Sequence, residues 1–339
     1  VEASPTLRAA VHTIVVIDAA HVELNDRVIS YTQLQRLGAE LLDQNPGIVD
    51  EAIATTGHET LSTLIYTSGT TGQPKGVRLN HASWIYEGAG TKHWEIIDES
   101  DLQYLWLPLS HVFGKALIAC QIAYGFASAV DGRIDRIVEG LGEVKPTFMC
   151  GAPRIFEKVR AAVMTSSSGL KDHVARWAFA VGRDSRSYRL AGRPLPGFLA
   201  IKYRLADALV FSKLKARLGG RMKFMISGSA KLSAQVQEWF YSAGLLIVEG
   251  YGSTETSAIA FLNLPTEPCF GSVGRVMPGI ETMIADDGEV LLRGPIITPG
   301  YHNLPDITAE AFTDGWYHTG DLGEFDARGN LTITDRKKD

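Results

Sequence analysis

The sequence predicts an α/β protein, a large domain built on parallel, helix-flanked sheets followed by a small β-rich, barrel-like subdomain. Three observations predict it. Over the first 270 residues, short apolar runs rich in β-branched residues alternate with longer helical patterns, the signature of a mainly parallel, doubly wound sheet. Past Gly271 the helical periodicity fades into short extended runs separated by Asp-Gly, Arg-Gly and Pro-Gly turns. A composition of 45% hydrophobic and 21% charged residues over 339 positions belongs to a chain that buries a sizeable core.

Taken in order, strands are expected at 12–18 (HTIVVID), 62–66 (STLIY), 103–107, 127–130, 147–150, 222–227 (MKFMIS) and 245–249 (LLIVE). Each is an apolar run of strand length, bounded by polar or turn residues. Helices are expected at 32–43, 111–124, 133–141, 168–186, 197–218 and 233–243. The stretch 105–130 is the most apolar, yet Pro108, His111, Lys115 and Gln121 interrupt it. It falls short of the roughly 20 apolar residues that a spanning helix needs, and reads as a strand end, a buried helix and another strand. Extended runs at 281–285, 289–293 and 331–334 form the β-rich subdomain. The expected division is therefore an α/β core over 1–270, the β-rich subdomain over 271–334, and the start of a hinge over 335–339.

Lys plus Arg number 33 against 38 Asp plus Glu, a net charge of −5. That balance, with no dense basic stripe, argues against nucleic acid as a partner. Cys120, Cys150 and Cys269 are scattered with no C-x-x-C pair, which excludes a disulfide framework and a cysteine zinc site and leads to the expectation of a reducing, cytoplasmic setting. The chain begins at Val1 and ends inside the charged run Asp335-Arg336-Lys337-Lys338-Asp339, so it is expected to be the interior of a longer protein.

Ligands of open parallel sheets sit beyond the carboxyl ends of the strands. Three segments rich in Gly, Ser or Thr each follow an expected strand: 67–76, 228–230 and 250–256. The first reads Thr67-Ser68-Gly69-Thr70-Thr71-Gly72-Gln73-Pro74-Lys75-Gly76. Hydroxyls, backbone N–H groups beside glycines and one lysine are what a loop needs to hold a polyphosphate. It is not a Walker A loop, because Pro74 precedes Lys75 and Gly76 stands where Ser or Thr would hold magnesium. On composition alone it could equally be a flexible strand-to-helix connection.

The string itself closely resembles the phosphate-loop signature of the adenylate-forming enzymes, the superfamily of acyl-CoA synthetases, luciferases and peptide-synthetase adenylation domains. Further segments resemble the same family in the same order. Gly250-Tyr251-Gly252-Ser253-Thr254-Glu255 is similar to its adenine segment, which implies Tyr251 packed on adenine, Thr254 near the α-phosphate and Glu255 holding Mg2+. A carboxylate suits a hard cation that shares its coordination with phosphates. Tyr317-His318-Thr319-Gly320-Asp321 resembles the segment whose Asp accepts from both ribose hydroxyls, a task for a pure acceptor. Arg336 would contact ribose or phosphate, and Lys338 would be the hinge. Ser227-Gly228-Ser229-Ala230 resembles the small-residue segment along which nucleotide and acyl chain approach the backbone. His111 and Phe113, in LPLSHVFG over 107–114, resemble the lining of the acyl pocket, with His111 as a wall residue and not a base.

Within the superfamily, Pro146-Thr147-Phe148 followed by Pro153-Arg154-Ile155-Phe156-Glu157-Lys158 resembles the long-chain fatty acyl-CoA synthetases. The helical stretch up to Gly220, with its LVFSKL string at 209–214, is similar to them as well. The resemblance implies a fatty acid, ATP and coenzyme A as substrates, Mg2+ as cofactor, and a bilayer surface as a possible contact. Catalytic roles fall to Lys75, Thr254 and Glu255. It also implies that the family's catalytic lysine and most coenzyme A contacts belong to a C-terminal domain beyond this chain. Two alternatives are a fatty acyl-AMP ligase that loads a carrier protein, and a catalytically silent homologue that binds acyl chains or nucleotides.

Overall fold

The computed structural model describes residues 9–68, 73–165 and 169–337. The chain divides into two compact units, Val1–His58 and Glu59–Asp339, whereas the sequence placed its main boundary at 270/271. In the first unit, β1 (Ile14–Val16) pairs in parallel with β2 (Val28–Ser30). A helix at Tyr31–Gln44 follows directly, because Ser30 accepts from the Gln33 N–H while the Gln33 side chain accepts from the Ser30 N–H, closing a reciprocal cap on two otherwise orphan donors. A second helix spans Ile48–Thr55.

The second unit opens with an antiparallel hairpin, β3 (Leu61–Ser68) and β4 (Pro74–Asn80), in which Thr67 stands opposite Lys75. This corrects the reading of 67–76 as a loop leaving a parallel sheet: Thr67 and Ser68 at one end and Pro74 to Gly76 at the other belong to paired strands. The missed strand β4 does carry a strand signal. Val77 and Leu79 are fully buried while Arg78 between them is exposed, the two-residue alternation of a sheet with one wet face.

The main sheet has seven strands. Five are parallel, in spatial order β6 (Ala127–Val130), β5 (Leu102–Leu105), β7 (Phe148–Gly151), β8 (Phe224–Ser227) and β9 (Ile247–Tyr251). The short strands β10 (Phe261–Leu262) and β11 (Arg275–Val276) extend it antiparallel beside β9. Every residue of β7 and β8 is buried, as expected where helices cover both faces of a parallel sheet. Alternate residues then serve two cores. Tyr104, Met149, Met225 and Ile247 face one. Leu105, Phe148, Cys150, Ile226 and Val248 face the other, where Phe126 and Phe148 meet edge to face at 5.1 Å.

The expected helices are present at Val112–Tyr124, Ile137–Val144, Leu170–Leu190, Gly197–Ala206 and Ala234–Ser242. The one expected over 197–218 widens into a π-turn at Asp207–Phe211 before it resumes at Ser212–Arg217. Helices at His81–Lys92, Pro153–Thr165, Ile48–Thr55 and Pro305–Ala311 were not expected. The first holds Gly88 and Gly90 in its interior, which weakens the propensity signal; a Cβ on Gly88 would lie 2.8 Å from both the Ala119 carbonyl oxygen and Ala123.

The last segment folds as a five-stranded antiparallel sheet, β12 (Glu281–Ile284), β13 (Glu289–Arg293), β15 (Trp316–Phe325) and β14 (Phe312–Thr313), with β16 (Leu331–Arg336) on the free side of β15. Among the described residues, no helix is long and apolar enough to cross a membrane.

Candidate active site

The site is assembled from elements that are far apart in sequence, and a short crossing segment ties them. Backbone bonds from Arg78 N–H to Gly300 O at 3.1 Å and from His302 N–H to Gly76 O at 2.7 Å lay residues 300–302 along β4. That places the Tyr301 ring under the Lys75 ammonium, 5.4 Å from ring centre to Nζ, a cation–π distance. The Tyr301 hydroxyl donates to Glu255 Oε1 at 2.9 Å. The Thr298 N–H also donates to the Glu255 carbonyl at 2.8 Å. Burial, and then the Glu255 carboxylate, raise the Tyr301 phenol above its ordinary range, so it is a fixed donor. One phenol thus joins the lysine and the carboxylate that the sequence singled out separately.

Glu255 belongs to a tight loop that leaves β9. The loop turns back at once, since Ala258 N–H reaches Ser253 O at 3.2 Å and Ala260 N–H reaches Tyr251 O at 2.8 Å. Gly252 is required there: a Cβ would lie 1.8 Å from the Ala258 carbonyl oxygen. Ser257 and Ala258 hold φ values of 57° and 118°, a left-handed region that costs a non-glycine residue about 1–3 kcal/mol.

The neighbouring strand β8 ends at Ser227 and is followed by Gly228 and Ser229. A Cβ on Gly228 would come within 2.9 Å of the Phe113 ring, so only glycine fits that approach. Phe113 lies on the Val112–Tyr124 helix, whose N-cap is His111: its Nδ1 accepts from the Phe113 N–H at 3.2 Å. Burial lowers the His111 pKa, which keeps the imidazole neutral as the cap requires.

These pieces enclose one cavity of about 1260 Å³, above the roughly 300–1,000 Å³ of a usual small-molecule pocket. Its polar end is lined by Thr67, Lys75, Gly228, Ser229, Gly250, Gly252, Ser253, Thr254, Glu255 and Arg336. Its other end is an apolar arm. Phe113, Leu117, Cys120 and Tyr124 line the arm from one helix face, joined by Ile96, Ile97, Phe126, Phe148, Cys150, Ile226 and Leu262 from five other segments. Burial pushes the Cys120 thiol up to about 12, so it behaves as a small apolar wall.

Tyr251 and Asp321 do not line this cavity; beside it, the Tyr251 hydroxyl donates to Asp321 Oδ2 at 2.6 Å. Ala230 is exposed and likewise off the wall. Arg336 is the strand partner of Asp321 across β15 and β16, with Nε 3.7 Å from Oδ1. The wall beside them comes from residues that the sequence reading passed over. Glu289 accepts from the Gly320 N–H at 2.8 Å and from Lys337 Nζ at 3.0 Å. Burial alone would raise the Glu289 carboxyl, but these bonds and His318 together lower it. Gly69, Thr70, Thr71, Gly72 and Lys338 lie outside the described residues, and of Ser68 only the backbone is described, opposite Pro74.

The donor set defines what metal this site can hold. Among the described residues no cluster of three or more His, Cys, Asp or Glu side chains could cage an ion. Of the carboxylates on the cavity wall, half-buried Glu255 stands with Lys75 and Thr254 at the polar end, one oxygen already accepting from Tyr301. That fits a Mg2+ whose remaining ligands are phosphate oxygens and water, and does not fit a protein-only cage.

The chain matches the AMP-binding enzyme family over residues 2–302. It is 38% identical over 286 residues to the long-chain-fatty-acid--CoA ligase FadD15 of Mycobacterium bovis, covering 82% of this chain and 47% of that protein. It is 32% identical over 302 residues to long chain acyl-CoA synthetase 5 of Arabidopsis thaliana, covering 82% and 44%. Among solved structures it is similar to the o-succinylbenzoate coenzyme A synthetase of Bacillus subtilis in complex with ATP and magnesium ion, with a TM-score of 0.61 at 21% identity over 83% of this chain and 51% of that one. ATP-bound MatB from Rhodopseudomonas palustris gives a TM-score of 0.62 at 24% identity, covering 84% and 49%. The chain spans about half the length of the curated relatives it matches. On its sequence match and its fold, the chain belongs to the AMP-binding, adenylate-forming enzymes.

Proposed function

We propose that the protein carrying this chain activates a long-chain fatty acid with ATP and transfers it to coenzyme A. The observation that carries the reading is the single cavity, in which the hydroxyl- and lysine-bearing polar end opens into an apolar arm with no charged side chain on its wall. A ligand that is anionic at one end and aliphatic at the other matches it, and its volume suits a nucleotide and an acyl chain together.

In the first half-reaction a carboxylate oxygen of the fatty acid attacks the α-phosphorus of ATP. The bond from that phosphorus to the bridging oxygen breaks, and pyrophosphate leaves with the electron pair. In the second half-reaction the coenzyme A thiolate attacks the acyl carbon and AMP departs. Lys75 and the hairpin hydroxyls neutralise and orient the β and γ phosphates, and Thr254 donates at the α-phosphate. The neutral His111 caps its helix and adds no charge beside the acyl carboxylate. Glu255 would hold Mg2+, which supplies charge neutralisation of the phosphates. Most of the acceleration in such a site is positioning and preorganised charge.

The test is ATP-dependent AMP release by the full-length protein across fatty acids of graded length, with coenzyme A and an acyl-carrier protein offered separately. Thioester formed on coenzyme A with long-chain acids is expected. Transfer to the carrier protein alone would favour the acyl-AMP ligase reading, and no acyl-dependent AMP release would sink both.

A further inference from the structure

Glu87 sits in the interior of the His81–Lys92 helix and is completely buried. Its Oε1 accepts from the Ile259 N–H at 3.0 Å, 172 positions along the chain, while its Oε2 has no hydrogen-bond partner. No cation pairs with it among the described residues, and burial raises its pKa well above the carboxylate range. A carboxyl placed so expensively at the base of the loop that carries Thr254 and Glu255 needs a reason.

The loop supplies one. It holds two non-glycine residues, Ser257 and Ala258, at positive φ, so it relaxes unless its ends are held. Three bonds hold it from the side of the crossing segment and its own strand: Thr298 N–H to Glu255 O at 2.8 Å, Ser257 Oγ to Ile296 O at 2.7 Å, and Ala260 N–H to Tyr251 O at 2.8 Å. Glu87 holds it from the His81–Lys92 helix, at the first residue after the strained pair. Ile259 is itself on the cavity wall, so a shift of its backbone is a shift of the site.

We propose that Glu87 is a positioning residue: by fixing the Ile259 N–H it holds the strained turn closed and so sets where Thr254 and Glu255 present their oxygens to a magnesium nucleotide. This rests on the adenylate-forming reading of the site but not on the identity of the acid. The helix is thereby an active participant in the geometry of the β9 loop. A carboxyl that acts by accepting one N–H, without a counter-ion, does so as the neutral acid, and a side-chain amide of the same length replaces it.

The experiment compares full-length wild type with Glu87→Gln, Glu87→Leu and Glu87→Asp. Three readouts are taken: hydrogen exchange of the peptide covering 252–262, affinity for Mg2+-ATP by calorimetry as Mg2+ is varied, and acyl-dependent AMP release. E87Q is expected within about 3-fold of wild type in all three. E87L is expected to raise exchange in that peptide and to weaken Mg2+-ATP binding by about 10-fold or more, the scale of one lost hydrogen bond that leaves its donor buried. E87D, one methylene too short, should follow E87L, and it carries the comparison if E87L does not fold. Wild-type exchange and Mg2+-ATP affinity in folded E87L or E87D would overturn the proposal, as would E87Q impaired as severely as they are. If wild type binds Mg2+-ATP but activates no fatty acid, the substrate reading fails while the exchange and affinity readouts still decide the role of Glu87.

Discussion

The Tyr251 hydroxyl donates to the Asp321 carboxylate at 2.6 Å, joining the last residue of β9 to the middle of β15. The residue expected to stack on adenine and the residue expected to bind ribose are thus bonded to each other. Burial and then the Asp321 charge hold the Tyr251 phenol well above its ordinary pKa, so it remains a donor at every working pH. If Asp321 accepts from ribose as proposed, the ribose hydroxyls compete with that phenol. Asp321→Ala is expected to raise the KM for ATP by about 10- to 100-fold, since hydrogen bonds to charged groups are worth about 1.5–3 kcal/mol each. Tyr251→Phe frees the carboxylate and is expected to leave ATP affinity unchanged or improved. A loss of affinity in Tyr251→Phe as large as that in Asp321→Ala would count against the competition.

Lys75, Tyr301 and Glu255 form one chain of contacts. Glu255→Gln is expected to cut the adenylation rate by about 100-fold or more and to shift the Mg2+ dependence to higher concentration. Because Glu255 is half-buried and carries no core packing, the melting temperature should move little. Tyr301→Phe removes the donor but keeps the ring beneath Lys75, and should show a smaller effect on the same Mg2+ titration.

The apolar arm makes a prediction about chain length. Leu117 lies midway along the helix face that lines it and is 4% exposed. Leu117→Trp should fill the arm and move the preferred acid to shorter chains. Leu117→Ala should relax the preference toward longer or branched acids, while destabilising the fold by about 2–5 kcal/mol as buried Leu truncations do. Rates across the same graded acids, alongside thermal melts, check both.

Glu249 is buried on β9, with its Oε1 accepting from the Leu232 N–H at 2.6 Å. Burial raises its pKa to about 7. The folded state therefore binds this proton more tightly than the unfolded chain does. The stability this contributes is full below the unfolded carboxyl pKa, and it is lost as pH rises through about 7. Glu249→Gln keeps an acceptor for Leu232 and removes the titration. Melting curves from pH 5 to 8 should show the variant gaining on wild type as pH rises, and parallel curves would refute the assignment.

Residues whose chemistry is written in local strings were legible in the sequence, and so were the buried parallel strands, which read as continuous apolar runs. Lys75, Thr254, Glu255, Gly228 and Phe113, each singled out from a local string, line one cavity. What stayed hidden depends on pairing between distant segments. Tyr301 stands in a Pro-Gly-Tyr turn with no motif around it, and it acquires a role only because its backbone lies along β4. Glu289 and Lys337 meet only because β13, β15 and β16 bring their ends together. Beyond Phe113 the apolar arm is not written in local strings: the rest of its wall comes from that helix face and from several other segments whose apolar side chains would otherwise simply be core. The hairpin was misread because Gly and Thr in its tip mask the alternation of Val77, Arg78 and Leu79 that follows.

The Val112–Tyr124 helix starts at the polar end of the cavity, where His111 caps it, and presents Phe113, Leu117, Cys120 and Tyr124 along the arm. From Phe113 to Tyr124 the axis advances about 16 Å, at 1.5 Å per residue. Its amino end carries a partial positive charge, and beyond it the side chains on the arm offer carbon, sulfur and ring surface with no charge, the Tyr124 hydroxyl being the last of them. On the proposed function, a fatty acid laid along it would be sorted by direction, its head at the helix amino end and its tail along the apolar side chains. The same molecule entering tail first would meet the reverse at both ends, so on that reading a single helix would impose the polarity that attack at the α-phosphate requires.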